Sequence, residues 1–441
     1  SILKTMKKAF RIVLLLFMML PISSQLAFGL SNQTIAAYKN GNYTLILEGY
    51  DWGPAVKKVV LPMHEEVTAA NSADFHILVE RSAEGVVMKP EEASGERQVL
   101  YAYISDEKGN RIETGKYVSL VLMVHPNNPL DSPIKYIFKD GRGSNSWIDY
   151  KMKITHMPTS KIWDMEANRI YEDADRFDLS GRFTSNGISL TYASFEPSNN
   201  SNKIPLIIWL HGGGEGGTDP SIPLVANKAT NYATPEIQAI FGDAYVLVPQ
   251  TPSFWMQSAT GDYTRGKSDD VYHQTLFDLI GNYVTGHPNI DTDRIYIGGC
   301  SNGGYMSLKL LLEHPDYFAA GYISALAYQN QYITDQQIQR IKNIPMWFVH
   351  SKDDTTTLPD ETVVPLYKRL MDAKAPNVHF SYYDHVIDLT GVYGGPDYYF
   401  PGHWSWIYSH ANDANFDYDN EPVILNGNKA SIMEWLAAQK K

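Results

Sequence analysis

A chain of 441 residues, 44% hydrophobic and 20% charged, is too long for one hydrophobic core and too apolar to stay disordered, so two folded domains are expected. A net charge of -12, with no long Lys/Arg run to offset it, argues against nucleic acid, anionic membrane or polyanionic substrates as partners. The single cysteine, Cys300, rules out an intramolecular disulfide framework, so stability must come from burial.

The first element in chain order reads as a targeting segment. Lys7, Lys8 and Arg11 precede the apolar run from Ile12 to Leu20, and Pro21 and a polar stretch lead to the small-x-small exit Ala27-Phe28-Gly29. Residues 1–29 are therefore expected to be a signal peptide, with Met6 the better start and a mature, secreted chain beginning near Leu30. The apolar run is shorter than the roughly 20 residues that cross a bilayer, so no membrane span is expected in the mature chain.

Residues 30–160 read as an all-β, immunoglobulin-like sandwich. Tyr43–Leu47, Phe75–Val79, Val99–Ile104, Tyr117–Val124, Ile134–Phe138 and Ser146–Ile154 are rich in β-branched and aromatic residues. Turn signals such as Asn40-Gly41, Lys108-Gly109-Asn110 and Asp140-Gly141 separate them. The Cys-Trp-Cys core of antibody domains is absent, so the label describes architecture. The boundary is placed near Lys161. The short linker predicts that this domain packs on the one that follows.

Residues 161–441 change to an α/β pattern, the signature of a mostly parallel sheet covered on both faces. Pro205–Leu210, Tyr245–Val248, Arg294–Ile297 and Pro345–Val349 are nearly continuous apolar runs that suit buried strands. Val271–Val284, Tyr305–Glu313, Asp335–Lys342, Glu361–Ala373 and Ser431–Gln439 carry apolar residues at helical spacing.

Chemistry concentrates in this second part. Gly299-Cys300-Ser301-Asn302-Gly303 lies directly after a strand and directly before a helix, the context of a nucleophile elbow, with Ser301 as nucleophile. His211-Gly212-Gly213-Gly214-Glu215-Gly216-Gly217 follows the first apolar strand, where flexible backbone can aim N–H groups at an oxyanion. Gly213 and Asn302 are the expected oxyanion donors. No Gly-Lys-Ser/Thr ending marks this loop as phosphate-binding. Triad order in such a fold is Ser, acid, His, so the acid belongs after the strand Pro345–Val349, where Asp353 and Asp354 both stand. Downstream histidines are His385, His403 and His410.

These pieces, together with Val248-Pro249-Gln250, the segment from His350 to Pro359 and Gly402-His403-Trp404-Ser405-Trp406, resemble the secreted α/β-hydrolase esterases. That group is related to feruloyl esterases, polyhydroxybutyrate depolymerases and predicted peptidases, and includes members with an N-terminal immunoglobulin-like domain. The resemblance covers about Gly181 to the C-terminus and, more loosely, the β domain. It implies the α/β-hydrolase fold, Asp354 rather than Asp353 as the acid, and His403 rather than His385 as the base. Gly216 and Ser351 depart from it, since the family often has Arg and Gly there.

Trp255, beyond the strand ending at Gln250, is read either as an aromatic wall for substrate or as a ring packed under its loop. The insertion carrying Tyr393, Tyr398, Tyr399 and Phe400 is expected to shape the pocket. Asp413, Asp417 and Asp419 lack the spacing of a calcium loop, and neither metal nor cofactor is expected. The resulting expectation is a serine carboxylesterase acting on a small-molecule, short-chain carboxylic ester through an acyl-enzyme on Ser301. A peptidase or a feruloyl or acetyl-xylan esterase would use the same triad. A noncatalytic surface-binding protein would be signalled by a broken triad, whereas all three members are present.

Overall fold

In Phe75–Ser82, Phe75, Ile77 and Val79 are buried while Leu78 and Glu80 face outward, the period-two pattern of a strand with one buried face. The same alternation builds the first part of the chain in the computed structural model, which describes residues 40–198 and 202–441. The expected signal segment lies outside the described residues. Contacts divide the chain into two units, the first comprising residues up to Ile137 and Ser146–Asp175, the second Phe138–Asn145 and Arg176–Lys441.

The first unit holds β1 (Gly41–Tyr50), β2 (Gly53–Val67), β3 (Phe75–Ser82), β4 (Ser94–Arg97), β5 (Val99–Ser105) and β6 (Gly115–Leu122). The chain continues through a hairpin of β7 (Ile134–Lys139) and β8 (Arg142–Trp147), then β9 (Asp149–His156) and β10 (Lys161–Ile170). Eight of these strands form one ladder in the order β4-β3-β9-β10-β1-β2-β6-β5, antiparallel except where β1 meets β10. Leu45, Val59, Leu61, Ile77, Leu120, Ile154 and Trp163 fill its core. β10 belongs to this first sheet, and the two units divide at Asp175 and Arg176, not near Lys161.

The second unit begins its sheet with the hairpin β11 (Asp178–Ser185) and β12 (Ile188–Phe195), which joins antiparallel to β14. It then runs through β13 (Ile204–Leu210), β14 (Tyr245–Gln250), β15 (Ile290–Cys300), β16 (Ala320–Ser324), β17 (Met346–Ser351) and β18 (Val378–Tyr383). The order is β11-β12-β14-β13-β15-β16-β17-β18, and every pair from β14 to β18 is parallel. All residues of β13 and β14 are buried, as their unbroken apolar runs require of strands covered on both faces. Leu276, Leu279 and Ile280 of the helix His273–Gly286 and Leu308 and Leu311 of the helix Asn302–Glu313 pack into the same core as Leu206, Ile208 and Ile297. After β18 the short strands β19 (Val386–Ile387) and β20 (Tyr399–Phe400) pair and bracket the insertion. Among the described residues no helix is long and apolar enough to cross a membrane.

Candidate active site

Parallel strands bring their C-terminal ends to one edge, and the chemistry-bearing residues follow those ends. Ser301 follows β15, Asp354 follows β17, and His403 follows β20. Ser301 has φ 54° and ψ −114°, a conformation rarely adopted by residues with a side chain, and is the only turn residue between strand and helix. Its N–H donates to the Ser324 carbonyl at 3.1 Å, and its own carbonyl accepts from the Tyr305 N–H at 2.9 Å. Flanking glycines make the turn feasible. A Cβ on Gly303 would stand 1.9 Å from the Leu210 carbonyl oxygen, and one on Gly299 would stand 2.5 Å from that of Gly303.

The acid loop separates the two aspartates that the sequence left as neighbours. Asp354 Oδ2 accepts from His403 Nδ1 at 2.9 Å and from Thr357 Oγ1 at 2.9 Å, while Oδ1 accepts from the N–H groups of Thr356 and Thr357 at 2.8 and 3.0 Å. His350, fully buried on β17, places Nε2 3.3 Å from the same Oδ2 and 2.9 Å from the Thr357 carbonyl. Burial alone would raise the Asp354 pKa, but the hydrogen bonds from His350 and His403 outweigh it and hold the carboxyl well below the ordinary carboxylate range. With Nδ1–H directed at Asp354, neutral His403 keeps Nε2 as its proton-accepting nitrogen.

Asp353 instead pairs with His385, Oδ2 to Nδ1 at 3.0 Å, and accepts from Ser351 Oγ on its other oxygen. The His385 ring stacks on Tyr399, centroids 4.1 Å apart. The two alternatives weighed against Asp354 and His403 thus find each other. Asp388, buried at the head of the insertion, accepts from the N–H groups of Thr390, Tyr393 and Gly395 and so gives that loop a defined shape.

Gly213 and Asn302 are neighbours. The Asn302 amide nitrogen lies 2.9 Å from where a Cβ on Gly213 would be, and Asn302 Oδ1 accepts from the Met256 N–H at 3.0 Å. As first residue of its helix, Asn302 has a backbone N–H without an intrahelical acceptor. His211 supplies a part of the loop that its sequence position did not reveal. Burial lowers its pKa to about 4, so the ring is neutral. Nε2 accepts from the Thr251 N–H at 3.3 Å and Nδ1 therefore donates to the Gly212 carbonyl at 2.6 Å. Because a trans peptide points its C=O and N–H in opposite directions, anchoring the Gly212 carbonyl also orients the Gly213 N–H.

Trp255 is fully buried, its ring 5.2 Å from that of His211 and edge-on to Tyr272. It packs beneath the glycine loop instead of presenting a wall to substrate, which corrects the substrate-binding expectation. The sequence offers a signal in hindsight: Phe254, Trp255 and Met256 form an apolar run, and all three are buried. Cys300 is buried too, and burial pushes its thiol pKa well up, in keeping with a packing role. Asp417 is engaged by His379 Nδ1 at 2.8 Å and by the N–H groups of Phe380 and Tyr418, and Asp413 by the Tyr383 hydroxyl.

Two family descriptions match the chain, "Esterase Ig-like N-terminal domain" over residues 42–166 and "Prolyl oligopeptidase family" over residues 255–341. A crystal structure described as a thermostable esterase superposes with a TM-score of 0.71 at 22% identity, covering 91% of this chain and 100% of that one. The chain pairs an esterase-type Ig-like domain with an α/β-hydrolase domain. A putative esterase, NocK, of Nocardia uniformis subsp. tsuyamanensis is 30% identical over 115 residues, which is 26% of this chain. The matched region spans 30% of that relative's length. Pyrococcus horikoshii acylaminoacyl peptidase aligns with a TM-score of 0.38 at 14% identity, over 77% of this chain and 52% of that one. Within the hydrolase domain, the prolyl oligopeptidase match contains Trp255, Ser301 and Asn302, while Gly213, Asp354 and His403 lie outside it.

Proposed function

We propose that this protein is a secreted serine esterase that hydrolyses short-chain carboxylic esters. Ser301 attacks the acyl carbon, His403 takes its proton at Nε2, and Asp354 holds the imidazole tautomer and stabilises the imidazolium. The N–H groups of Gly213 and Asn302 receive the oxyanion, and water then resolves the acyl-enzyme. The observation that carries this reading is the Asp354–His403 hydrogen bond at 2.9 Å, made by residues that follow β17 and β20, in the fold that places a strained Ser301 after β15. The matched esterase Ig-like domain supports ester over amide as the scissile bond. The matched prolyl oligopeptidase family favours amide hydrolysis as the second reading.

Rates on p-nitrophenyl esters of increasing acyl length, set beside a peptide amide and a feruloyl ester, test the proposal. Highest kcat/KM on acetyl or butyryl esters supports it. A preference for the amide or the feruloyl ester moves the assignment to those classes, and no turnover of any of them overturns it. Export is tested separately, by locating the full-length protein in the medium of an expressing culture and sequencing its N-terminus, which is expected near Leu30.

A further inference from the structure

Asp353 and His385, the acid and base that the triad leaves unused, are tied to the segments that carry it. His385 stands just before β19 and is held at three points. Nδ1 bonds Asp353 Oδ2 at 3.0 Å, the ring stacks on Tyr399 with centroids 4.1 Å and planes 13° apart, and the carbonyl accepts from the Tyr408 hydroxyl at 2.6 Å. Each partner flanks a triad member in sequence. Asp353 precedes Asp354, Tyr399 lies in β20, which leads through Pro401 and Gly402 to His403, and Tyr408 lies in the helix Trp406–His410 just beyond His403. The Tyr408 hydroxyl also accepts from the Ile387 N–H at 3.1 Å, so the first strand of the insertion is bound to that helix. The fit on the acid side is close, since a Cβ on Gly402 would stand 2.4 Å from Asp353 Oδ1. Acid loop, insertion and base loop thus meet at one imidazole outside the triad.

We propose that His385 is a positioning residue: clamped between Asp353 and Tyr399, it holds the segment that delivers His403 against the acid loop and keeps the Asp354–His403 bond formed before substrate arrives. His385 touches no reacting atom and acts through His403. The route of the chain creates the need. His403 stands on a loop beyond the insertion, and β19 and β20 are only two residues each, so backbone pairing alone holds that loop weakly. A segment with so few hydrogen bonds of its own opens locally at little cost, and each contact that spans the two loops narrows the range over which the triad members can separate. The inference rests on His403 being the proton acceptor of the proposed esterase.

The test measures kcat and KM on p-nitrophenyl acetate together with the low-field proton NMR resonance of the hydrogen bond between Asp354 and the His403 imidazolium. His385→Ala is expected to lower kcat about five- to twentyfold with KM within about twofold, a fraction of the roughly 10²-fold cost of a full 1 Å misplacement, and to broaden or abolish the resonance. Asn places an N–H donor where Nδ1 stands, so His385→Asn is expected to recover most of the lost kcat. Asp353→Ala removes the same bond, and the double variant Asp353→Ala/His385→Ala is expected to lose less than the product of the two single losses. Fully multiplicative losses overturn the proposal. So does an unchanged kcat in His385→Ala, or a loss that leaves the resonance intact or that Asn does not restore, since packing alone would give either. If His385→Ala fails to fold, Tyr399→Leu at an exposed position removes the stacked ring and is expected to lower kcat about three- to tenfold, an unchanged kcat again overturning the proposal. Absent ester turnover by the wild type would strike the esterase reading alone. The same comparison is then read from the rate at which a fluorophosphonate labels Ser301, a step that requires His403 but no ester.

Discussion

A serine at φ 54° is stable only where its surroundings over-determine the turn, and Gly299, Gly303 and the bond to Ser324 do so around Ser301. Ser301→Ala removes a small hydroxyl without touching those contacts, so it is expected to abolish ester hydrolysis and fluorophosphonate labelling while leaving the melting temperature within a few degrees of wild type. Among the acids, Asp354→Asn is expected to lower kcat by about 10³- to 10⁴-fold, as loss of the correct imidazole tautomer does in such triads. Asp353→Asn, which alters the His385 and Ser351 contacts but leaves the Asp354–His403 hydrogen bond in place, is expected to be much milder. The same contrast is expected between His403→Ala and His385→Ala, and a reversed ranking in steady-state kinetics would reassign the base. The buried Glu215 carboxyl carries a stability signature. Its folded pKa of about 7 exceeds the ordinary 4.5, so the folded state holds the proton more tightly than the unfolded chain. Stability linked to this group is then complete below about pH 4.5 and declines as pH rises toward 7, by roughly 3 kcal/mol in all. Glu215→Gln is expected to flatten that decline in denaturant titrations run across the interval.

At the scale of elements, the loop that delivers His403 is fitted against the acid loop with no room to spare. A Cβ on Gly402 would fall 2.4 Å from Asp353 Oδ1 and 2.6 Å from the Asp353 carbonyl oxygen. Gly402→Ala must therefore push the two loops apart, and kcat is expected to fall by about 10²-fold or more with a smaller change in KM, because misplacing a reacting group by about 1 Å costs that much. The strands most easily recognised from sequence were those buried on both faces, β13, β14, β17 and the second half of β15, whose apolar runs have few other uses. β2 was harder to see, since Pro62 interrupts a run that also holds Lys57, Lys58, Glu65 and Glu66. The ladder tolerates it because the register with β6 shifts just after Pro62, and the Pro62 carbonyl is used by the Trp163 indole N–H. β10 was misplaced across the domain boundary because its pairing partners, β1 and β9, are far and near in sequence respectively, and only the fold shows that it belongs with both.

At the scale of the whole molecule, each unit holds its own core and Cys300 has no cysteine to pair with. Reducing agent is thus expected to leave the melting temperature unchanged. Ellman's reagent is expected to modify Cys300 only after denaturation, since the thiol is both buried and held protonated. What the sequence by itself determined is the kind of chain this is: an all-β part, then an α/β part, with a nucleophile elbow, a glycine loop and an ordered set of acid and histidine candidates. These are local properties, written in periodicity and in motifs a few residues long. What only the tertiary structure decided is partnership. It gave Asp354 to His403 and Asp353 to His385, buried Trp255 beneath the glycine loop, set His350 on the acid and His211 on the Gly212 carbonyl, and turned Glu215 inward. Adjacent aspartates look alike in a sequence because hydrogen bonding and desolvation are properties of neighbours in space, and here those neighbours lie up to 49 positions along the chain.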